Sequence, residues 1–196
     1  MIFHSMATSR YLEQSTSKER KKTMEAVNHM TGNEIVIYDA QIGRGSYRNF
    51  EGRSGEYNSQ GSRNFVVFLD EEFAREIEAK GAPVVWKPDK YNEGSLRAQM
   101  KVHVKYSDRY GNPLTPPKII LMSKKNRTPL DEEDIKMLDR ADISRWDLIL
   151  TMYKNKGNMG PDNSVSLDTL YAKLNENELD AMYSEESEED SAAVPW

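Results

Sequence analysis

Arg97, Gln99, Lys101, His103 and Lys105 alternate along the chain with Ala98, Met100, Val102, Val104 and Tyr106. Taken as a β-strand, the stretch puts the polar set on one face and the apolar set on the other, because successive side chains point to opposite sides. Same-face residues then recur about 6.6 Å apart, near the phosphate spacing of an extended single nucleic-acid strand. Three fixed cations share that face with no acid, which suits a polyanion. The competing reading is an ordinary solvated face, on which acids would normally be mixed in.

A second cluster lies upstream. Arg44, Tyr47, Arg48, Phe50, Arg53, Tyr57 and Arg63 interleave cations with rings among Gly43, Gly45, Gly52, Gly55 and Gly61. Cations on phosphates and rings on bases are how single strands are held without sequence preference, each stacked base contributing roughly 1–3 kcal/mol. Arginine adds planar stacking and bidentate phosphate contacts. The competing reading is a loop whose aromatics fold back on the core. Lys87, Tyr91, Tyr110 and Lys124 fall at strand ends or in polar turns and extend the candidate nucleic-acid surface. Trp86 and Trp146 suit core and stacking equally well.

Catalytic patterns are scarce. His4 and His29 sit in a polar N-terminal stretch, leaving His103 as the one histidine in an expected element. No His/Asp/Glu spacing matches a metal site, and no glycine-rich phosphate loop occurs, so neither metal nor cofactor is expected. Asp131-Glu-Glu-Asp134 reads as a helix N-terminus that sets acids against the helix dipole. The chain is read as a binding protein and not as an enzyme.

The 196 residues carry a net charge of −5, and its distribution is uneven. Residues 1–127 hold 21 Lys/Arg against 15 Asp/Glu, residues 128–183 hold 6 against 12, and the last thirteen hold five acids and no base. A basic front with an acidic tail is the asymmetry associated with polyanion binding. The tail, Ser184 to Trp196, is too polar to order itself, yet ends in Val194, Pro195 and Trp196. An acidic tether carrying an apolar hook suits docking on a partner, or lying over the chain's own basic surface. There is no cysteine, which excludes disulfides and thiol chemistry, and no apolar run approaches a membrane span. A soluble, intracellular protein is expected.

These residues need a β scaffold. Strands are expected over Glu34–Ile42, Asn64–Leu69, Val84–Trp86, Arg97–Tyr106, Lys118–Met122, Asp147–Tyr153 and Val165–Leu174, with residues 43–62 a long mobile loop. Helices are expected over Asp70–Lys80 and Leu130–Leu138, and after Asn175 to Tyr183. Residues 1–32 read as a polar arm, with Met24, Val27 and Met30 on one side of a short helix. Residues 33–175 form the folded domain, and 176–196 a short helix plus acidic tail. Consecutive strands without intervening helices disfavour a βαβ sheet. A mainly β fold follows: an antiparallel barrel or strongly curved sheet with short inserted helices.

The chain resembles bacteriophage single-stranded DNA-binding proteins with an OB-fold. The resemblance rests on Phe50-Glu-Gly-Arg53, Tyr57 to Phe65 running into Val66-Val-Phe-Leu-Asp70, Pro116 to Leu121, Leu130 to Asp134, Ile143 to Ile149 and Glu176 to Tyr183, in that order. It implies an OB-fold-like five-stranded antiparallel barrel with extra strands. It further implies sequence-tolerant coating of single-stranded DNA during phage replication or recombination, in the infected host's cytoplasm. The acidic tail with its terminal aromatic is similar to tails that recruit replication and repair proteins; here Trp196 stands where Phe is commoner. Lys154 to Pro161 departs from the family's aromatic-rich hairpin, as does the long arm. A homo-oligomer is compatible with this reading. Two other classes stay open: a phage structural or assembly protein that uses the arm and glycine-rich loop for subunit contacts, and a nuclease or recombination enzyme that uses the scattered acids.

Overall fold

The computed structural model describes residues 26–56, 58–89, 92, 94–108, 110–155 and 162–176. Its strands are β1 (His29–Thr31), β2 (Glu34–Ile37), β3 (Gln41–Ile42), β4 (Arg48–Asn49), β5 (Arg63–Leu69), β6 (Val85–Pro88), β7 (Leu96–Val104), β8 (Lys118–Met122), β9 (Arg127–Leu130), β10 (Ile143–Lys154) and β11 (Asn163–Leu174). One α-helix, α1 (Glu71–Ala79), follows β5. The strands join into one open sheet along the path β1-β2-β10-β11-β7-β5-β3, with β4 on β5, β6 on β7, and the β8–β9 hairpin on β11. The mainly β expectation holds. Most pairs are antiparallel, but β11 runs parallel to both β7 and β8. Irregularities in the β10–β11 pairing at Ile143/Arg145 and Ile149/Leu150 bend the longest hairpin, as bulges do.

The inner face follows the period-two pattern. Phe65 and Val67, Met100 and Val102, Leu148 and Leu150, and Val165 with Leu167 are buried together, and α1 adds Phe73 and Ile77. Helix α1 starts where expected because Asp70 caps it, its carboxylate accepting from the Phe73 N–H at 2.8 Å.

Four expectations are corrected. The strand foreseen over 34–42 breaks at Tyr38–Asp39, where Asp39 takes φ 50°, a left-handed conformation that aspartate tolerates better than most residues. Residues 43–62 are tied down by a short 3-10 turn at Gly45–Tyr47, by β4 and by side-chain anchors. The carboxylate of Asp139 accepts from the N–H groups of Phe50 (2.8 Å) and Glu51 (3.0 Å), and Asn49 bonds both ways with Arg53 (2.8 and 2.9 Å). Gly52, at φ 78°, lets the segment fold back so that its carbonyl accepts from Gly61 N–H. The helix foreseen over 130–138 divides into the end of β9 and a 3-10 segment, Asp134–Asp139, with Asp131 accepting from the N–H groups of Glu133 and Asp134. Met30 is in β1 and buried, so the folded part begins before residue 33 and no helix joins Val27 to Met30. The expected terminal helix from residue 177 onward lies outside the described residues.

Candidate nucleic-acid interface

Strand β7 has the facing expected of it. Ala98, Met100, Val102 and Val104 are buried, whereas Arg97, Gln99, Lys101 and His103 face outward. The strand is central, so register identifies the neighbours on that outer face, since directly paired residues share a side of the sheet. Lys87 pairs with Arg97, Phe68 with Gln99, Val66 with Lys101, and both Asn64 and Ser166 with His103. From Arg97 to Lys105 the row extends about 26 Å at the usual strand rise.

Each end of the row opens into a cavity. At the Arg97 end a cavity of about 310 Å³ is lined by Arg44, Tyr47, Phe68, Lys87 and Gln99 among others. The Arg97 guanidinium carbon sits 3.6 Å from the Phe68 ring centroid, and Tyr47 meets the same ring edge-on at 5.5 Å. Gly43 allows this arrangement: a Cβ there would lie 2.4 Å from the Cβ of Tyr47. At the other end a larger groove, about 1330 Å³, runs between the loop 59–63 and the strand ends, lined by His103, Lys105, Tyr106, Tyr110, Tyr153 and Lys154. There the Lys105 ammonium donates to Tyr153 Oη at 2.6 Å and lies 4.2 Å from that ring's centroid.

Burial and charge set the protonation states. His103 is pushed down to about 4 by desolvation, with the charges of Lys105 and Lys101 adding to it, so its ring is neutral near neutral pH. The Tyr106 hydroxyl is buried without a hydrogen-bond partner, and that burial pushes its pKa up to about 12. Among the described residues no group of three or more His, Cys, Asp or Glu could hold a metal ion. No described helix is long and apolar enough to cross a membrane.

A family described as "Putative phage ssDNA-binding domain" matches residues 24–195. The chain belongs to this family. No curated protein matches it. Among solved structures it is similar to the single-stranded DNA-binding protein from bacteriophage Enc34 in complex with ssDNA (11% identity, TM-score 0.46, 76% of this chain and 94% of that one). It is also similar to a C-terminal truncation of that protein (9% identity, TM-score 0.44, 76% and 94%). A further similar structure is gp2.5, a single-stranded DNA-binding protein encoded by bacteriophage T7 (10% identity, TM-score 0.35, 76% and 93%).

The outer face of this phage ssDNA-binding domain brings together Arg44, Tyr47, Lys87, Arg97, Lys101, His103, Lys105 and Tyr110 from the sequence-derived set. Others are placed elsewhere. Phe50 is wholly buried, stacked against Phe65 at 5.1 Å and nearly parallel to Trp146, so the apolar core takes a ring that the loop composition assigns to bases. Arg48 is buried as well. It donates through Nε to the Gly43 carbonyl at 2.8 Å and lies 4.9 Å over Trp146. Arg53 is paired with Glu51 and Asp139. Arg48 is therefore turned into the core, away from Lys101 and Lys105, whereas Arg53 stays exposed with its charge committed to two acids. Arg63 stands at the groove's edge, held by Glu132 at 2.7 Å and packed over Tyr106. Lys124 sits at the tip of the β8–β9 hairpin, beyond the Met122–Lys173 pair, with its N–H on Glu176. Tyr57, Tyr91, Val194, Pro195 and Trp196 lie outside the described residues.

Two rings on the face escape a reading of the sequence. Phe68 lies in an apolar run that reads as buried throughout, although the Asn64, Val66, Phe68 alternation marks an outward set. Tyr153 falls on an expected strand, but its contact with Lys105, 48 residues away in the chain, has no sequence signal.

Proposed function

We propose that the domain binds single-stranded DNA without sequence preference along the outer face of β7. Arg97, Lys101 and Lys105 take phosphates, and Tyr47, Phe68, Tyr110 and Tyr153 offer faces to bases. One observation carries the reading: a central strand that contains no acid presents its cations in a row between two cavities, each walled by aromatics and basic groups with a single aspartate, Asp89 or Asp108. Exposed ammonium groups steer and hold a polyanion through counterion release, and rings that stack on any base give no sequence code. Arg44, Lys87 and His103 complete the surface. Tyr57 and Tyr91 belong to the wider sequence-derived set, whereas Lys124, at the hairpin tip off the row, is left outside this surface.

The role is coating of exposed strands during phage replication or recombination, in the host cytoplasm, by binding and not by catalysis. The acidic tail, with Val194, Pro195 and Trp196 at its tip, supplies the contact to replication or recombination proteins and competes with DNA for the basic face. Fluorescence titration with oligo-dT in rising salt tests the reading, because affinity must fall as salt rises. Salt-insensitive binding, or none, rejects it. Removing residues 184–196 is expected to tighten DNA binding, and unchanged affinity would reject the competition.

A further inference from the structure

We infer that single-stranded DNA binding is coupled to uptake of one proton by His103, whose imidazolium becomes the fourth cation of the β7 row. The inference rests on the DNA-binding reading above and assigns that site a pH response. His103 stands on the outward face of β7, one same-face step, about 6.6 Å, from Lys101, and shares the larger groove with Lys105, which directly follows the strand. A phosphate strand that follows the lysines must therefore pass over the imidazole.

The surroundings hold the ring neutral while no DNA is present. Its cross-strand neighbours are Asn64 on β5 and Ser166 on β11, neither of which titrates. Along the chain its nearest charged neighbours are both cations. From the loop preceding β5 come Asn58, which accepts from Lys101 Nζ at 3.5 Å, and the polar residues 59–62. Arg63 is committed to Glu132. The strand ends add Tyr153 and Lys154 from β10, and the turn after β7 adds Asp108 and Tyr110. The Asp108 carboxylate is engaged by the N–H groups of Tyr110 (2.8 Å) and Asn112 (2.9 Å). Among the described residues no carboxylate bonds to the imidazole, and two ammonium groups oppose its charging. Burial is the larger cause of the ring's neutrality and the lysines the smaller, and a phosphate bonded to the imidazolium works against both. It neutralises the lysines' field and places an anion beside the ring.

The sign follows from linkage. The free ring has its pKa lowered to about 4. The bound ring's value is raised, so protons favour the bound state and affinity climbs as pH falls through the bound-state value. A return in the complex to the ordinary 6.5 corresponds to a roughly tenfold tightening from about pH 7.5 to about pH 5.5, with ~0.9 proton taken up at the lower pH.

The experiment is an oligo-dT titration of the full chain across that range at fixed ionic strength, with wild type, His103→Gln and His103→Asn. Thymine bases and phosphodiesters carry no group that titrates there. Calorimetry in two buffers of different ionisation enthalpy counts the protons directly. A tenfold tightening in wild type that both variants lose, with proton uptake lost in parallel, is expected. A flat wild-type profile, or an equal rise in the variants, overturns the coupling while leaving DNA binding intact. No binding at any pH overturns the DNA reading itself.

Discussion

Replacing Lys101 and Lys105 together by glutamine removes two of the three strongly basic groups from the β7 row and keeps most of each side chain's length. Lys101 is exposed and makes only a long contact with Asn58, and Lys105 is half-buried against Tyr153, so the fold should survive the change. For single strands, log K falls with log salt by about 0.7 per phosphate neutralised. Leaving two phosphates without their ammonium partners lowers the slope by roughly 1.4. It also weakens binding by about 65-fold at ~50 mM salt and about tenfold at ~200 mM. The assay is a fluorescence titration with oligo-dT at four or more salt concentrations, with Lys124→Gln as the control. The β8–β9 hairpin lies off the row, so the control should match wild type in slope and affinity. A double variant with the wild-type slope, or a control that weakens as much as the double variant, refutes the placement of DNA on β7.

Other outcomes follow from the same geometry. Phe68→Ala removes the ring beneath Arg97 and beside Tyr47; affinity should drop by roughly 1–3 kcal/mol with a nearly unchanged salt slope, read by the same titration. Phe50→Ala should cost about 3–5 kcal/mol of stability in denaturant unfolding, because its ring is core, yet leave affinity per folded molecule unaltered. Asp139→Ala strands the part-buried N–H of Phe50, at about 1–3 kcal/mol, and leaves the exposed N–H of Glu51 to water; urea unfolding measures the loss. His103 is held neutral in the fold but titrates near 6.5 when unfolded, so the unfolded chain binds more protons. The stability of the DNA-free protein should therefore fall as pH drops from about 6.5 towards 4, and His103→Gln should flatten that fall in thermal melts.

The β7 row is legible in the sequence because its alternation is strict and unbroken for ten residues. Phe65 and Val67 are equally readable as core. The glycine-rich stretch misleads for a physical reason. Its composition signals a loop, and loops are expected to expose their aromatics, but Phe50 is drawn inward by Phe65 and Trp146 while Asp139, some ninety residues away, satisfies the backbone that follows it into the core. No local pattern encodes that partner. Arg48 goes the same way, its guanidinium finding a backbone carbonyl and an indole in place of solvent. Phe68 is hidden by the opposite error, since five apolar residues in a row conceal a period of two. The contact of Lys105 with Tyr153 joins side chains 48 residues apart, and no local pattern encodes it.

The position of the DNA is most directly measured by photo-cross-linking an iodouracil-substituted oligonucleotide to the full chain and sequencing the adducts by mass spectrometry. Adducts at Tyr47, Phe68, Tyr110 or Tyr153, beside the β7 row, are the expected result. Adducts confined to the Asp134–Asp139 segment, around Arg53, or to the hairpin tip at Lys124 would contradict it.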